Sequence, residues 1–237
     1  MAVGVSLCWL PFVGRSLSPD EAGYLIVGGQ WQTGSSLYGN YWVDRPPGLI
    51  AIFEFADALG GAVPLRLLGA LAAVLTVILS GVLGRLAAPE RRSAPLLTAG
   101  TAAACVATPL FGGTVVNGEL LGLPFLIAGM AAYVAAAASP SVTRGALLSI
   151  AAGAGGAAGV LVKQSQIDVF VLAAVLLFTS SAARRRLPWF LAGALVTIAV
   201  GVAVAQARGT VPADLWEAVV TFRIDRSEER RVGKECR

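Results

Sequence analysis

Long apolar stretches without charged residues dominate the chain. A helix that crosses about 30 Å of hydrocarbon needs roughly 17–25 mostly apolar residues. Six stretches meet or approach that length: 67–84, 94–111, 120–138, 145–162, 169–183 and 187–205. A seventh, residues 1–14, is too short to span alone and lacks the basic start and cleavage site of a signal peptide, so we interpret it as the end of a first span. The pattern predicts an all-α, polytopic membrane helix bundle with about seven transmembrane helices.

The region between the first two apolar stretches, residues 15–66, is longer and more polar. Its aromatic side chains suit the membrane–water interface; they are Tyr24, Trp31, Tyr38, Tyr41 and Trp42. Two short helices, over roughly 19–32 and 47–58, are expected to lie along the membrane surface. We therefore predict a large first outer loop that bears short interfacial helices.

The composition supports a membrane protein and excludes several other classes. Hydrophobic residues make up 56% and charged residues 14% of the 237 residues, whereas a soluble domain carries about 25% charged residues. An ordinary cytosolic enzyme and a disordered chain are excluded. The chain has no His, which removes Ser-His-Asp and Cys-His catalysis and every His-ligated metal site.

The few charged residues are sorted along the chain. Three short connections, 85–93, 139–144 and 184–186, hold seven arginines and a single acid, Glu90; the arginines are Arg85, Arg91, Arg92, Arg144, Arg184, Arg185 and Arg186. Every other acid before residue 226 falls in the alternate connections. Since short cytoplasmic loops are rich in Lys and Arg, we expect the arginine connections to be cytoplasmic. The acidic loops then face outward from the plasma (inner) membrane.

Residues 226–237 differ in character from the rest of the chain. They read RSEERRVGKECR, which resembles the translation of a sequencing adapter; the alternative is a solvated basic tail. We expect residues 1–225 to be a fragment of a longer protein and 226–237 not to be native. The tail carries five basic and three acidic residues, so without it the net charge falls from +4 to +2 and nucleic-acid binding loses its support.

Two adjacent acids open the first interfacial helix. Ser18-Pro19-Asp20-Glu21 fits a capping box with Pro at the first helical position. An acid held just above the bilayer also suits a general base toward an acceptor hydroxyl or amine. Capping and catalysis can coexist if the two carboxylates divide the roles.

Arg45 lies in the sequence Asp44-Arg45-Pro46-Pro47. The two prolines restrict the backbone after the ion pair, and a rigid Arg at a membrane surface suits a phosphate group. The alternative is a surface salt bridge beside a helix start.

Glu119 and Lys163 belong to later outer connections. An ionisable residue at the mouth of a span is a functional candidate, but Glu119 equally suits an interfacial charge at a helix start. Lys163 would attract an anionic headgroup, or would snorkel without another role. Asp168 is expected to cap the next span. We assign Asp214, Glu217 and Arg223 to an outer amphipathic helix.

Four segments carry a resemblance to a known family: DEAGYL, LYGNYWVDRPPGL, NGELLGLPFL and VKQSQIDV. Together they resemble the GT-C glycosyltransferases, and most nearly the bacterial family-39-like group that includes protein mannosyltransferase and aminoarabinose transferase relatives. The resemblance covers residues 1–225. It implies a seven-helix membrane module with a large first outer loop, followed in full-length members by further spans. The fragment by itself is expected to be inactive.

The resemblance also implies an activity of the cell envelope. A sugar linked to a polyprenyl phosphate would be transferred, with inversion, to an acceptor glycan, lipid or protein on the outer face. Asp20 would be the general base with Glu21 as its supporting acid, and Glu119 would orient the acceptor or help to bind a cation. Arg45 and Lys163 would hold the donor phosphate. Some branches use a divalent metal and others do not, so no cofactor is certain.

A second class of function is left open by the residues. A transporter or lipid-binding membrane protein could use the same Lys and acids to bind an anionic substrate. Transporters usually place such sites near the midplane on broken helices, whereas the charged residues here lie at helix ends and in outer loops. A catalytically silent relative that binds polyprenyl phosphate is the third reading.

Overall fold

The computed structural model describes residues 1–31, 37–38, 43–108, 114–222 and 224–225, and in these ranges the chain is helical with no β-strand. In chain order the helices are α1 (Ala2–Val13), α2 (Pro19–Gln30), α3 (Pro47–Ala58), α4 (Ala62–Ala87), α5 (Ala94–Val106), α6 (Gly118–Ala138), α7 (Val142–Val162), α8 (Asp168–Thr179), α9 (Ser181–Ala207) and α10 (Pro212–Trp216). A π-helical turn, Glu217–Thr221, follows α10.

Four helices are long and apolar enough to cross a membrane: α4, α6, α7 and α9. Three further apolar helices, α1, α5 and α8, are shorter. The predicted all-α fold is confirmed, and the four long apolar helices support a membrane protein. All seven apolar stretches are at least partly helical, and both segments predicted to be interfacial are helical as α2 and α3.

Local sequence signals set several helix starts. Ser18 and Glu21 form the predicted capping box at α2, with Pro19 as the first helical residue. The side chain of Asn117 accepts a hydrogen bond from the backbone N–H of Leu120 at α6. Between α3 and α4 the chain turns at Gly60 and Gly61, whose φ angles of 114° and 87° lie in the region that glycine tolerates without strain.

Small residues let the long helices approach closely. A Cβ atom added to Gly153 of α7 would lie 1.9 Å from the carbonyl oxygen of Phe190 in α9, and one added to Gly193 would lie 2.1 Å from the carbonyl oxygen of Ile150. Close backbone approach of this kind is how helices associate in membranes, where apolar burial alone supplies little driving force. The packing fixes α7 against α9.

The helical boundaries correct two expectations. Arg184–Arg186 lie inside the first turns of α9, not in a connection, because the Ser180 side chain accepts from the Ala183 N–H and starts the helix at residue 181. Arginine is a good helix former and continues it. Asp168 is the first residue of α8, and Ile167 occupies the cap position. The carboxylate of Asp168 still favours the helix dipole there.

Two other expectations concern the C-terminal part of the chain. Asp214 lies in α10, and Glu217 begins the π-helical turn, so the predicted outer helix is short and irregular. Arg223 and residues 226–237 lie outside the described residues, as do Tyr41 and Trp42.

The bundle has two chemically different ends. The starts of α2, α4 and α6 and the ends of α7 and α9 lie at one end. The end of α6 and the starts of α7 and α9 lie at the other. At 1.5 Å per residue the 21 residues of α6 separate these ends by about 30 Å. The two ends hold the two cavities described below.

Candidate functional site

A polar cavity of about 480 Å³ opens at the end of the bundle where α2 and α6 begin. Its wall is completed by Arg45, which lies just before α3, and by Lys163, which follows α7. Four of the five predicted site residues line it: Asp20, Arg45, Glu119 and Lys163. The fifth, Glu21, lies behind the wall. The structure thus brings two acids and two cations together, and their chemical roles remain predictions.

Asp20 owes its position to the capping box. Glu21 occupies the third helical position, where its side chain turns back to the Ser18 backbone N–H. Asp20, one position earlier, points away from the cap and is exposed. Its carboxylate has no hydrogen bond or ion pair with any residue that the structure describes. No described residue therefore competes for the carboxylate of Asp20.

Glu21 is the opposite case, because its side chain is only 1% exposed. Its oxygens accept hydrogen bonds from the backbone N–H groups of Ser18 and Val116, each at 2.7 Å. They also accept two bonds from Arg66, with NH1 at 2.5 Å from Oε1 and NH2 at 3.0 Å from Oε2. Every carboxylate oxygen is therefore engaged. Glu21 can support Asp20 only by fixing the helix on which Asp20 sits.

Arg66 is a residue that sequence reasoning missed. It is the fifth residue of α4, is buried, and also donates to the carbonyl oxygens of Thr114 and Ser16, each at 3.2 Å. It thereby ties α4 to the start of α2 and to the chain before α6. The signal in the sequence was an arginine close to the start of a long apolar helix, since ionisable residues in such helices almost always have a partner.

Arg45 is held at the cavity by several contacts. Its NH1 lies 2.8 Å from Oδ1 of Asp44, and its guanidinium lies 5.8 Å from the centre of the Tyr24 ring. The Tyr38 hydroxyl donates to the Arg45 carbonyl oxygen at 2.7 Å. Burial acts to lower the pKa of Arg45, but the interactions with Asp44 and Tyr24 together outweigh it and raise that pKa. Arg45 is therefore a fixed cation, and it both forms a salt bridge and faces the cavity.

Lys163 and Glu119 join the end of α7 to the start of α6. Nζ of Lys163 lies 2.7 Å from Oε1 of Glu119, with the side chains 17% and 57% exposed. Gln166 donates through Nε2 to the Glu119 carbonyl oxygen at 2.8 Å. Lys163 thus has one carboxylate partner, and an ammonium group has three donors. Further hydrogen-bonding capacity remains for an anion.

Tyr24 is an uncharged side chain that lines the cavity beside the charged groups. Its ring packs edge-on against Phe53, with centroids 5.5 Å apart. Burial raises the pKa of the Tyr24 hydroxyl, and the negative charge of Asp20 acts in the same direction against the opposing charge of Arg45. The hydroxyl is therefore protonated at neutral pH. The sequence had indicated only an interfacial aromatic residue at this position.

The donor set does not build a metal site by itself. Among the described residues, no three Asp, Glu or Cys side chains come together as candidate ligands. The two acids of the cavity, Asp20 and Glu119, share it with the cations Arg45 and Lys163. We therefore derive no chemical step through a metal.

No family model, curated protein or solved structure matches the chain. The geometry of the cavity and the motif resemblance therefore carry the functional proposal below.

Proposed function

We propose that the chain belongs to a membrane glycosyltransferase that uses a polyprenyl-phosphate-linked sugar as donor. The observation that carries the proposal is the polar cavity, which Asp20, a carboxylate with no hydrogen-bond or ion-pair partner among the described residues, shares with two held cations, Arg45 and Lys163. The motif resemblance to GT-C enzymes supports the same assignment. A donor carried by a lipid requires no nucleotide-binding fold, which suits an all-helical chain.

The proposed reaction divides between the two kinds of charge. The bond between the anomeric carbon and the phosphate oxygen breaks while a bond from the acceptor oxygen or nitrogen forms on the opposite face of the sugar. Asp20 takes the proton that the acceptor loses. Negative charge grows on the departing phosphate, and Arg45 and Lys163 stabilise it in a preorganised site.

The existing ion pairs limit how phosphate can enter. Arg45 is paired with Asp44 and Lys163 with Glu119, so a phosphate shares or displaces these carboxylates. An Arg side chain carries five donors and a Lys side chain three, which allows sharing. Glu119 then lies next to the donor, where it orients the acceptor.

We also propose how the helices cross the membrane and which end of the bundle faces outward. The seven apolar helices alternate in direction along the chain, with α1, α5 and α8 crossing together with their flanking residues. The arginine-rich end is cytoplasmic by the positive-inside rule, and the polar cavity faces outward. This arrangement places the active face outside the cell membrane.

A transporter is the less favoured function. Transporter sites usually lie near the midplane on broken helices, whereas the cavity residues Asp20 and Glu119 lie in the first turns of α2 and α6. Lys163 follows the last residue of α7. The charged groups are thus at helix ends, beside the interface.

Donor binding tests the proposal with the present chain. In nanodiscs, the protein is expected to bind a polyprenyl-phosphate sugar. The double variant Arg45→Gln/Lys163→Gln is expected to weaken binding at least about a hundredfold, since it loses two charge-assisted bonds worth about 1.5–3 kcal/mol each. Arg208→Gln is the matched control, because Arg208 pairs with Glu54 outside the cavity. Equal binding by the double variant would contradict the proposal.

Catalysis requires a second readout. In a protein that carries residues 1–225 together with the further spans that the resemblance implies, Asp20→Asn is expected to abolish sugar transfer while donor binding and membrane insertion persist. Unchanged transfer would remove Asp20 from the mechanism.

A further inference from the structure

A second cavity, of about 410 Å³, lies at the opposite end of the bundle, between the starts of α7 and α9. Arg185, Arg186 and Trp189 line one side, and Ser139 and Val142 line the other. It is separated from the polar cavity by the length of α6, about 30 Å. The proposed glycosyl transfer makes no use of it.

The guanidinium of Arg186 is seated in this cavity by close packing. Its NH2 donates to the Ser139 carbonyl oxygen at 2.7 Å. The side chain lies directly against Gly145, where an added Cβ would fall 0.7 Å from NH1. NH1 itself is buried and has no hydrogen-bond partner in the described part of the chain. The packing therefore fixes the guanidinium in place, and its positive charge acts on the cavity that Arg186 lines.

Arg185 supplies a second, uncommitted cation. It is exposed and forms no ion pair with a described residue. Trp189 lies one helical turn further along α9 on the same face and is 49% exposed. An arginine followed by a half-exposed tryptophan suits the headgroup level of a bilayer, where amphipathic rings are favoured.

The charge of the second cavity is of one sign. None of its lining residues is acidic, whereas each cation of the polar cavity has a carboxylate partner. The cavity also receives the starts of α7 and α9, helices of 21 and 27 residues, whose first backbone N–H groups add positive potential. The whole surface therefore selects for an anion.

We infer that the cavity of Arg185, Arg186 and Trp189 binds the phosphate group of an anionic phospholipid. Basic pockets between membrane helices are suited to such headgroups. Apolar side chains, including Val142, flank the cations, so a ligand with acyl chains fits better than free phosphate. The bound lipid would bridge α7 and α9 at the arginine-rich end.

Native mass spectrometry tests this inference with the whole chain. The protein is released from nanodiscs that contain equal amounts of phosphatidylglycerol and phosphatidylcholine with identical acyl chains, and the retained lipids are counted. We expect phosphatidylglycerol to be retained preferentially, and Arg185→Gln to lower its retention about fivefold. Arg184→Gln is the matched control: it removes the same charge one residue earlier, from a side chain that bonds to the Leu177 carbonyl outside the cavity.

Two further measurements distinguish a specific lipid-binding site from general electrostatic attraction. Arg186→Lys keeps the charge but loses the forked hydrogen-bond donors of the guanidinium, so it is expected to reduce phosphatidylglycerol retention as well. Inorganic phosphate should not compete with phosphatidylglycerol if the lipid headgroup is the ligand; competition would identify free phosphate as the source and overturn the lipid assignment. Equal losses in Arg184→Gln and Arg185→Gln would show diffuse electrostatic attraction and contradict the site.

Discussion

Two acid–cation pairs at the same end of the bundle have opposite surroundings. Glu21 and Arg66 have side chains 1% and 4% exposed, and they form hydrogen bonds with two backbone segments, 16–18 and 114–116. Glu119 and Lys163 have side chains 57% and 17% exposed. The first pair is enclosed by protein, and the second faces a cavity that a ligand can enter.

The difference in exposure separates an ion pair with a structural role from one that a ligand can reach. A buried pair adds little net stability over an apolar pair of the same volume, but breaking it leaves an uncompensated charge inside the protein. A partly exposed pair is worth little to the fold, and its groups remain available. Glu21 and Arg66 therefore hold the cavity wall, and we propose that Lys163 and Glu119 act on the ligand.

Arg66→Met is expected to have the largest effect. It leaves the Glu21 carboxylate buried without its partner, which costs about 3–5 kcal/mol of unfolding free energy. Denaturant unfolding of the detergent-solubilised protein measures the loss. Lys163→Met serves as the control, and a loss of stability as large in that variant would remove the distinction between the pairs.

The neighbouring acids should respond differently to neutralisation. Glu21→Gln is expected to destabilise the fold by about 1–3 kcal/mol, because it weakens charge-assisted bonds to Arg66. Asp20→Asn removes only a favourable helix-dipole charge and is expected to cost less than about 1 kcal/mol. The same unfolding assay checks both. Similar losses would show that Asp20 is also structural.

Lys163→Met is expected to weaken donor binding about tenfold, the equivalent of 1.4 kcal/mol, because one charge-assisted bond to phosphate is lost. Stability should change by no more than about 1 kcal/mol. Binding of a polyprenyl-phosphate sugar in nanodiscs measures the effect. Unchanged binding would assign Lys163 to the ion pair alone.

Glu119→Gln is expected to have the smallest effect and the opposite sign. It frees Lys163 from a competing carboxylate, so donor affinity should rise about two- to threefold, within the range of one exposed ion pair. The same binding assay reports the change. A fall in affinity would mean that Glu119 itself holds the donor.

Local signals allowed part of the fold to be predicted from the sequence. The capping box of Ser18 and Glu21 depends on four consecutive residues, and the long spans depend on continuous apolar runs. The predicted start of α9 was wrong because Ser180 caps the helix before the arginines. Single contacts of this kind decide where a helix begins.

Long-range contacts could not be predicted in this way. Glu21 and Arg66 are 45 residues apart in the chain, and they meet only because the fold brings the start of α2 next to the start of α4. The Arg208–Glu54 pair between the end of α9 and α3 is missed for the same reason. The sequence identified cations and acids at one end of the bundle, but only packing separates Glu21 from the cavity.

Photo-crosslinking locates the bound donor phosphate on the protein. A polyprenyl phosphate with a photoreactive group beside the phosphate is bound to the protein in nanodiscs, and the labelled peptides are identified. We expect crosslinks to the polar cavity, in the peptides that contain Arg45, Gly118 and Lys163. Crosslinks confined to the arginine-rich end, around Ser139 and Arg186, would contradict the proposal.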